Sequence, residues 1–235
     1  MKTEIIAEIG QNHNGDMDLA AELISAAKKA GADVAKFQVY DARALFPPKP
    51  QNEWFDYNCS TELSRDDVMR LAEVCSDAGI EFMASVFDTE RIAWLEEVGV
   101  KRYKIASRSV EDAQLIRAVA ATGKPMIVSL GMWKRPTFPS ISAAGGVDYL
   151  YCVAKYPAPF EELKLGSVDF GKYSGFSDHS LGVTAACASF VRGARILEKH
   201  MTMDKSAYGP DHACSMTPDE LAAIHAFRTD WERCS

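Results

Sequence analysis

Five ionisable side chains stand where a buried strand should be apolar. Glu8 lies in IIAEIG, Lys36 in DVAKFQ, Lys104 in RYKIAS, and Glu198 and His200 in ILEKH. Strands of a parallel sheet are buried on both faces and read as apolar runs, so each of these charges needs a partner or a ligand. Internal Lys–Glu pairing answers the need without a ligand; an anionic substrate answers it with one. His179, in the run SDHS at 177–180, precedes His200 by about 20 residues. Neutral imidazoles at neighbouring strand ends suit Mn²⁺, Fe²⁺ or Zn²⁺; the alternative is two structural histidines. In GPDHACS (209–215), Gly209 and Pro210 fix a turn that presents Asp211 and His212. Asp211 is read as a ligand for substrate hydroxyls or as the head of an Asx turn. His13, in QNHNGD, lines the pocket or bonds within its own loop. His225 is expected on the surface of the last helix, and Met83, Met126 and Met132 as core filling.

The elements that must position these groups alternate. Strand patterns are read at 4–9, 33–40, 81–87, 102–106, 125–130, 147–153, 175–177 and 196–199. Helical patterns are read at 18–30, 65–78, 89–98, 112–121, near 160–170, at 181–193 and at 218–231. Ser64 offers a helix cap, and Gly31, Gly79 and Gly123 act as stops. Residues 41–63 read as irregular, and the Pro/Ser/Gly stretch 134–146 leaves little room for a helix. Eight strand-then-helix units of roughly 29 residues predict an α/β fold, a closed (β/α)₈ TIM barrel in a single domain over 1–235. An open doubly wound sheet is the alternative. In the barrel, the charged strand ends converge on the C-terminal face.

Composition sets the bounds. The 235 residues are 47% hydrophobic and 25% charged, which excludes disorder. Surface scaling gives roughly 10,500 Å² exposed when folded and about 70% of the unfolded surface buried. The net charge of −7 argues against general nucleic-acid binding, though a local site can be basic. The first residues carry too short an apolar run for a signal peptide, and no stretch suits a membrane span. Six cysteines without a CxxC pair fit no zinc module. The expectation is a soluble cytoplasmic protein with reduced thiols, no nucleic-acid partner and no membrane partner.

These segments resemble the sialic acid synthase (NeuB-like) family over essentially the whole chain. The matching stretches include IAEIGQNHNGD, GADVAKFQ, GIEFMASVFD, KIAS, TGKPMIVSLGM, YCVAKYPAP, GFSDHSLG, LEKHMTMD and GPDHACSMTPDEL. The resemblance implies a (β/α)₈ barrel that condenses phosphoenolpyruvate with an open-chain sugar aldehyde, giving a 2-keto acid and phosphate. Lys36, Ser85, Lys104, Ser107 and Ser177 would then hold phosphoenolpyruvate. His179 and His200 would hold a divalent metal, Mn²⁺ first, with Mg²⁺ or Co²⁺ as alternatives. Tyr156 and Asp211 match sugar-contacting positions, and Glu8 is a pocket carboxylate. The resemblance also admits a homodimer.

The chain departs from the family pattern at three places. Ser109 stands where a carboxylate is usual, Arg108 beside it where glycine is common, and Lys155 where asparagine is expected before the YP motif. The family's usual C-terminal antifreeze-like domain has no counterpart before Ser235. The leading expectation is a phosphoenolpyruvate-dependent, C–C bond-forming transferase acting on a sugar-derived aldehyde. The alternatives are a metal-dependent aldolase or lyase on the same barrel and a catalytically impaired phosphoenolpyruvate-binding protein. If Arg108 and Lys155 face the pocket, the acceptor should be anionic or lack an N-acetyl arm.

Overall fold

The computed structural model describes residues 3–234. Eight parallel strands close into a barrel in chain order: β1 (Glu4–Gly10), β2 (Val34–Val39), β3 (Glu81–Val86), β4 (Tyr103–Ile105), β5 (Met126–Ser129), β6 (Val147–Cys152), β7 (Gly175–Asp178) and β8 (Ile196–His200). The seam forms by in-register pairing of β1 with β8, from Glu4 beside Ile196 to Glu8 beside His200. The (β/α)₈ expectation is therefore correct, and the open-sheet alternative is excluded. The total accessible surface, 10,749 Å², matches the scaling value expected for one core.

The outer helices are α1 (Met17–Lys29), α2 (Ala42–Leu45), α3 (Phe55–Ser60), α4 (Arg65–Ala78), α5 (Arg91–Glu97), α6 (Ala113–Ala121), α7 (Phe160–Leu163), α8 (Thr184–Val191) and α9 (Pro218–Cys234). Local chemistry sets their ends. Ser64 and Asp67 form a reciprocal capping box on α4, and Gly79 ends that helix in the left-handed region at φ 67°. No helix separates β5 from β6, so the strand-then-helix rule fails at that unit. The excursion at 41–63, expected to be irregular, holds α2 and α3. The helix expected near 160–170 shrinks to α7 and a following 3₁₀ turn at Leu165–Ser167. The helices read at 89–98 and 181–193 are shorter, starting at Arg91 and Thr184; in the second, Gly182 is in the left-handed region at φ 68° and cannot continue the helix.

Alternation divides each strand between two environments. One face packs outward under the helices and includes Ile5, Ala7, Phe37, Phe82, Val128, Phe176 and Leu197. The other face fills the barrel in layers. The middle layer is Ile6, Val34, Met83, Ile127, Leu150 and Ile196, all buried. Below it, at the N-terminal end, Arg102 donates from Nε to Glu81 (2.8 Å) and from Nη1 to Glu4 (2.8 Å). Above it, at the C-terminal end, lie Glu8, Lys36, Ser85, Lys104, Ser129, Ser177 and Glu198. Met83 and Met126 fill core as expected, but Met132 is half-exposed. His225 is not a free surface group. Its ring packs against Gly31, where a Cβ would come within 2.3 Å of it, and its Nδ1 accepts from Arg228.

The lower ion cluster makes a prediction about stability. The three side chains are 16–24% exposed, so their pairing is only partly screened. Arg102→Met would leave Glu4 and Glu81 facing each other with only the exposed Lys101, 3.8 Å from Glu81, as a cation. Urea unfolding at neutral pH should show a loss of about 2–3 kcal/mol, below the range for a fully buried pair. A loss under about 0.5 kcal/mol would mean that the cluster is solvated and does not stabilise the barrel.

Candidate active site

A cavity of about 370 Å³ opens at the C-terminal end of the barrel. Every site residue expected from the sequence lines it: Glu8, Lys36, Ser85, Lys104, Ser107, Arg108, Tyr156, Ser177, His179, His200 and Asp211, together with Glu198.

Its floor is a neutral set of four charges. Lys36 Nζ sits 2.6 Å from Glu8 and 3.5 Å from Glu198, and donates to Ser85 Oγ at 3.0 Å. Lys104 Nζ lies farther from its carboxylate, 3.6 Å from Glu198, and donates to Ser129 Oγ at 2.8 Å. Ser177 Oγ donates to Glu198 at 2.9 Å. The two lysines differ in consequence. Burial lowers the pKa of both, but Glu198 and Glu8 outweigh it for Lys36, which ends raised. Lys104 ends lowered, by burial and then by the neighbouring Lys36, despite Glu198. Burial would raise the Glu198 pKa, yet Lys104 and Lys36 hold it down to about 2. Lys104 is therefore the cation of the floor with most to gain from an anion. Internal pairing and a ligand-ready site thus coexist: both lysines are paired, and both face the cavity.

The two histidines are held by a buried pin behind them. Asp178 and Lys199 lie side by side on β7 and β8, facing away from the lumen. They form a fully buried ion pair at 2.9 Å, and Lys199 also donates to the Ser180 carbonyl. Asp178 accepts from the Ser180 backbone and hydroxyl, so the pair is saturated. His179 follows β7 directly and His200 ends β8, with ring centroids 5.7 Å apart. The Tyr156 ring lies against His179 at 4.2 Å. His179 Nδ1 donates to the Val153 carbonyl, which leaves Nε2 as the unprotonated atom, near Ser177. Burial, then the nearby His200, lowers the His179 pKa to about 4. His200 Nδ1 is buried without a hydrogen-bond partner and lies 3.7 Å from Asp211. Among the described residues no cluster of three or more His, Cys, Asp or Glu is arranged as a metal site. Two neighbouring imidazoles, one with an orphaned ring nitrogen, do fit a two-ligand site that leaves room for water or substrate.

Asp211 owes its place to close packing in the last loop. Gly209 adopts φ 153°, and a Cβ there would come within 2.6 Å of Tyr57 Oη and 2.8 Å of the His212 ring. His212 joins Thr202 and Asn14, tying this loop to the one after β1. The Asp211 side chain faces the cavity, while its carbonyl accepts from Ser215. His13 takes the loop alternative: its Nδ1 accepts from the Gly15 backbone, and it does not line the cavity.

The departures from the family pattern separate here. Arg108 lines the cavity, donating to the Leu45 carbonyl and stacking 4.8 Å above Phe46. Lys155 points outward and pairs with Glu162 at 2.6 Å. Ser109 is buried and is not among the lining residues. An anionic-acceptor argument therefore rests on Arg108 without Lys155.

Sequence reasoning missed Gln11, Gln38 and Ser129, all of which line the cavity. Gln38 donates to Glu8 at 2.8 Å. Gln11 anchors the 41–63 excursion through Tyr40, Asn58 and Thr61. Gln38 and Ser129 were within reach of the period-2 rule, being two residues beyond Lys36 and Ile127. Gln11 gave no such signal, because two of its three partners, Asn58 and Thr61, come from a segment without periodicity.

Comparison with known proteins agrees with this architecture. A sequence profile described as the NeuB family matches residues 23–232. The chain is 36% identical over 244 residues to the N,N'-diacetyllegionaminic acid synthase of Legionella pneumophila, covering 92% of this chain and 68% of that protein. It is 32% identical over 242 residues to the human N-acetylneuraminate-9-phosphate synthase, covering 94% and 67% respectively. Among solved structures, the N-acetylneuraminic acid (sialic acid) synthetase of Leptospira borgpetersenii, in complex with citrate, superposes with a TM-score of 0.91 at 29% identity. That match covers 100% of this chain and 85% of that one. A barrel closed in this order, with these side chains at its mouth and this extent of sequence identity, belongs to the NeuB family.

Proposed function

We propose that the chain is a metal-dependent synthase that condenses phosphoenolpyruvate with a sugar-derived aldehyde, giving a 2-keto acid and phosphate. The observation that carries this reading is the floor of two lysines and two glutamates, edged by serine hydroxyls. That floor is neutral by itself and can turn its ammonium groups to a polyanion. The relatives named above are by name synthases of N,N'-diacetyllegionaminic acid and of N-acetylneuraminate 9-phosphate, which supports a sugar-acid product.

In this reading Lys36 and Lys104 face the phosphate and carboxylate of phosphoenolpyruvate, with Ser85, Ser107 and Ser177 as hydroxyl donors. Lys104 gains more than Lys36, because its own carboxylate is farther away. Carbon 3 of phosphoenolpyruvate attacks the aldehyde carbon, water adds at carbon 2, and the tetrahedral intermediate expels phosphate. His179 and His200 would hold a divalent metal, Mn²⁺ in preference to Mg²⁺ or Co²⁺, which supplies Lewis-acid polarisation of a carbonyl oxygen. Asp211 and Tyr156, on the histidine side, are placed to orient acceptor hydroxyls. Glu8 and Gln38 brace Lys36. Among the described residues no helix is long and apolar enough to cross a membrane, and all six cysteines are free thiols, which supports a cytoplasmic setting.

Two predictions test the assignment. His179→Ala and His200→Ala should each cut aldehyde-dependent phosphate release more than about 100-fold and lower bound Mn²⁺, with circular dichroism unchanged. Full activity of either variant in chelator-treated buffer would remove the metal role. Lys36→Met and Lys104→Met should each weaken phosphoenolpyruvate binding by about 2–3 kcal/mol in calorimetry. Without ligand, Lys36→Met should also lower Tm, since Glu8 loses the cation paired with it at 2.6 Å, and Lys104→Met should lower it less. Unchanged affinity in both variants would place the anion elsewhere.

A further inference from the structure

We infer that Cys152 is a positioning residue for the anion site: its thiol donates to Ser107 Oγ, so that the single hydroxyl proton of Ser107 turns into the cavity. This deepens the synthase reading and rests on it for the identity of the anion, phosphoenolpyruvate.

The strand period places the thiol. Leu150 belongs to the apolar middle layer of the barrel. Cys152, two residues further along β6, faces the same way one layer higher, beside Ser177 of β7. It is thus the β6 member of the layer that holds Glu8, Lys36, Lys104 and Glu198. Cys152 is buried and does not line the cavity, whereas Ser107, 3.1 Å from its sulfur, does. Gly131, just after β5, closes the group. Its backbone N–H donates to Ser107 Oγ at 3.0 Å, and a Cβ on it would come within 2.3 Å of Cys152 Sγ. Only a residue without a side chain lets the three groups pack this closely.

Counting protons gives the bond its direction. Ser107 Oγ has one proton and two lone pairs, and the Gly131 N–H takes one lone pair. By distance alone the contact between sulfur and oxygen runs either way. If the hydroxyl donated to sulfur, the S–H would be left buried without an acceptor, since among the described residues no other acceptor is hydrogen-bonded to Cys152 Sγ. If the thiol donates instead, it fills the second lone pair of Ser107. The hydroxyl proton is then left for the cavity, which this half-buried side chain lines. Burial, opposed by the Ser107 bond and the nearby Lys104, pushes the Cys152 pKa up, which keeps the proton on sulfur. An entering anion meets a hydroxyl already turned toward it, with no rotor to reorganise. The competing role is filling: a thiol that only occupies space between β6 and the 3₁₀ turn Ser107–Ser109 would be indifferent to where its proton goes.

The test reads the thiol proton directly, by Raman spectroscopy of the S–H stretch, which moves to lower frequency when the thiol donates. The difference spectrum between wild type and Cys152→Ser isolates this band among the six free cysteines. The band should lie at the frequency of a donating thiol and move up in Ser107→Ala. A band at the free-thiol frequency, unmoved by Ser107→Ala, would overturn the inference. Calorimetry with phosphoenolpyruvate alone supplies the second readout. Cys152→Ala should weaken binding about threefold to tenfold, the scale of one neutral hydrogen bond. Cys152→Ser, which keeps a donor, should bind within about twofold of wild type. Adding Cys152→Ala to Ser107→Ala should cost nothing more. Tighter binding in Cys152→Ala would mean that Ser107 donates to sulfur, and equal losses in Cys152→Ala and Cys152→Ser would reduce the thiol to filling; either result overturns the inference. Should Cys152→Ala fail to fold, the Raman comparison, which does not use it, decides. If the wild type binds no phosphoenolpyruvate, the synthase reading fails, and the Raman band still decides the direction of the bond.

Discussion

Four charges share one layer of a barrel whose next layer is entirely apolar. Nothing in the interior below Glu8, Lys36, Lys104 and Glu198 can solvate them, so they must solvate one another. This is the constraint around which the site is built. It requires that the two lysines and two glutamates come from β1, β2, β4 and β8 at one height, which only a closed barrel in this register supplies. It also explains the serines. Ser85, Ser129 and Ser177 give Lys36, Lys104 and Glu198 one hydrogen bond each to a neutral group that a ligand can displace without leaving a bare charge.

The geometry is uneven, and the unevenness matters for function. Lys36 is clasped by Glu8, while Lys104 is left at a distance from Glu198 with its pKa lowered. A fully satisfied layer would make a stable but inert plug. A layer with one under-compensated cation is stable enough to fold and still gains from an anion. The saturated Asp178–Lys199 pair behind β7 and β8 does the opposite job. It is buried, complete and turned away from the cavity, so it fixes the strand ends that carry His179 and His200 without competing for a ligand.

Much of this was legible in the sequence because charge in an apolar strand violates a strong rule. Glu8, Lys36, Lys104, Glu198 and His200 stood out on that ground, and the strand count gave the barrel that gathers them. The Asp178–Lys199 pair was not legible in the same way. Both residues sit beside groups already singled out, and only the alternation of faces shows that they point outward. Ser109 and Lys155 looked alike as departures from a family pattern, yet one is buried off the cavity and the other is paired on the surface. Side-chain direction after a strand end depends on the loop that follows, and no periodicity encodes it. Gln11 was silent for the same reason: its role depends on the non-periodic 41–63 excursion folding back over the barrel mouth.

The central claim is that this charged floor opens its lysines to a polyanion. Its most direct measurement is a crystal structure with phosphoenolpyruvate soaked in. The account predicts phosphate or carboxylate oxygens within hydrogen-bond distance of both Lys104 Nζ and Lys36 Nζ, with Ser85 or Ser177 rotated to join them. Phosphoenolpyruvate bound outside the barrel mouth, with both lysines still facing only Glu8 and Glu198, would contradict it.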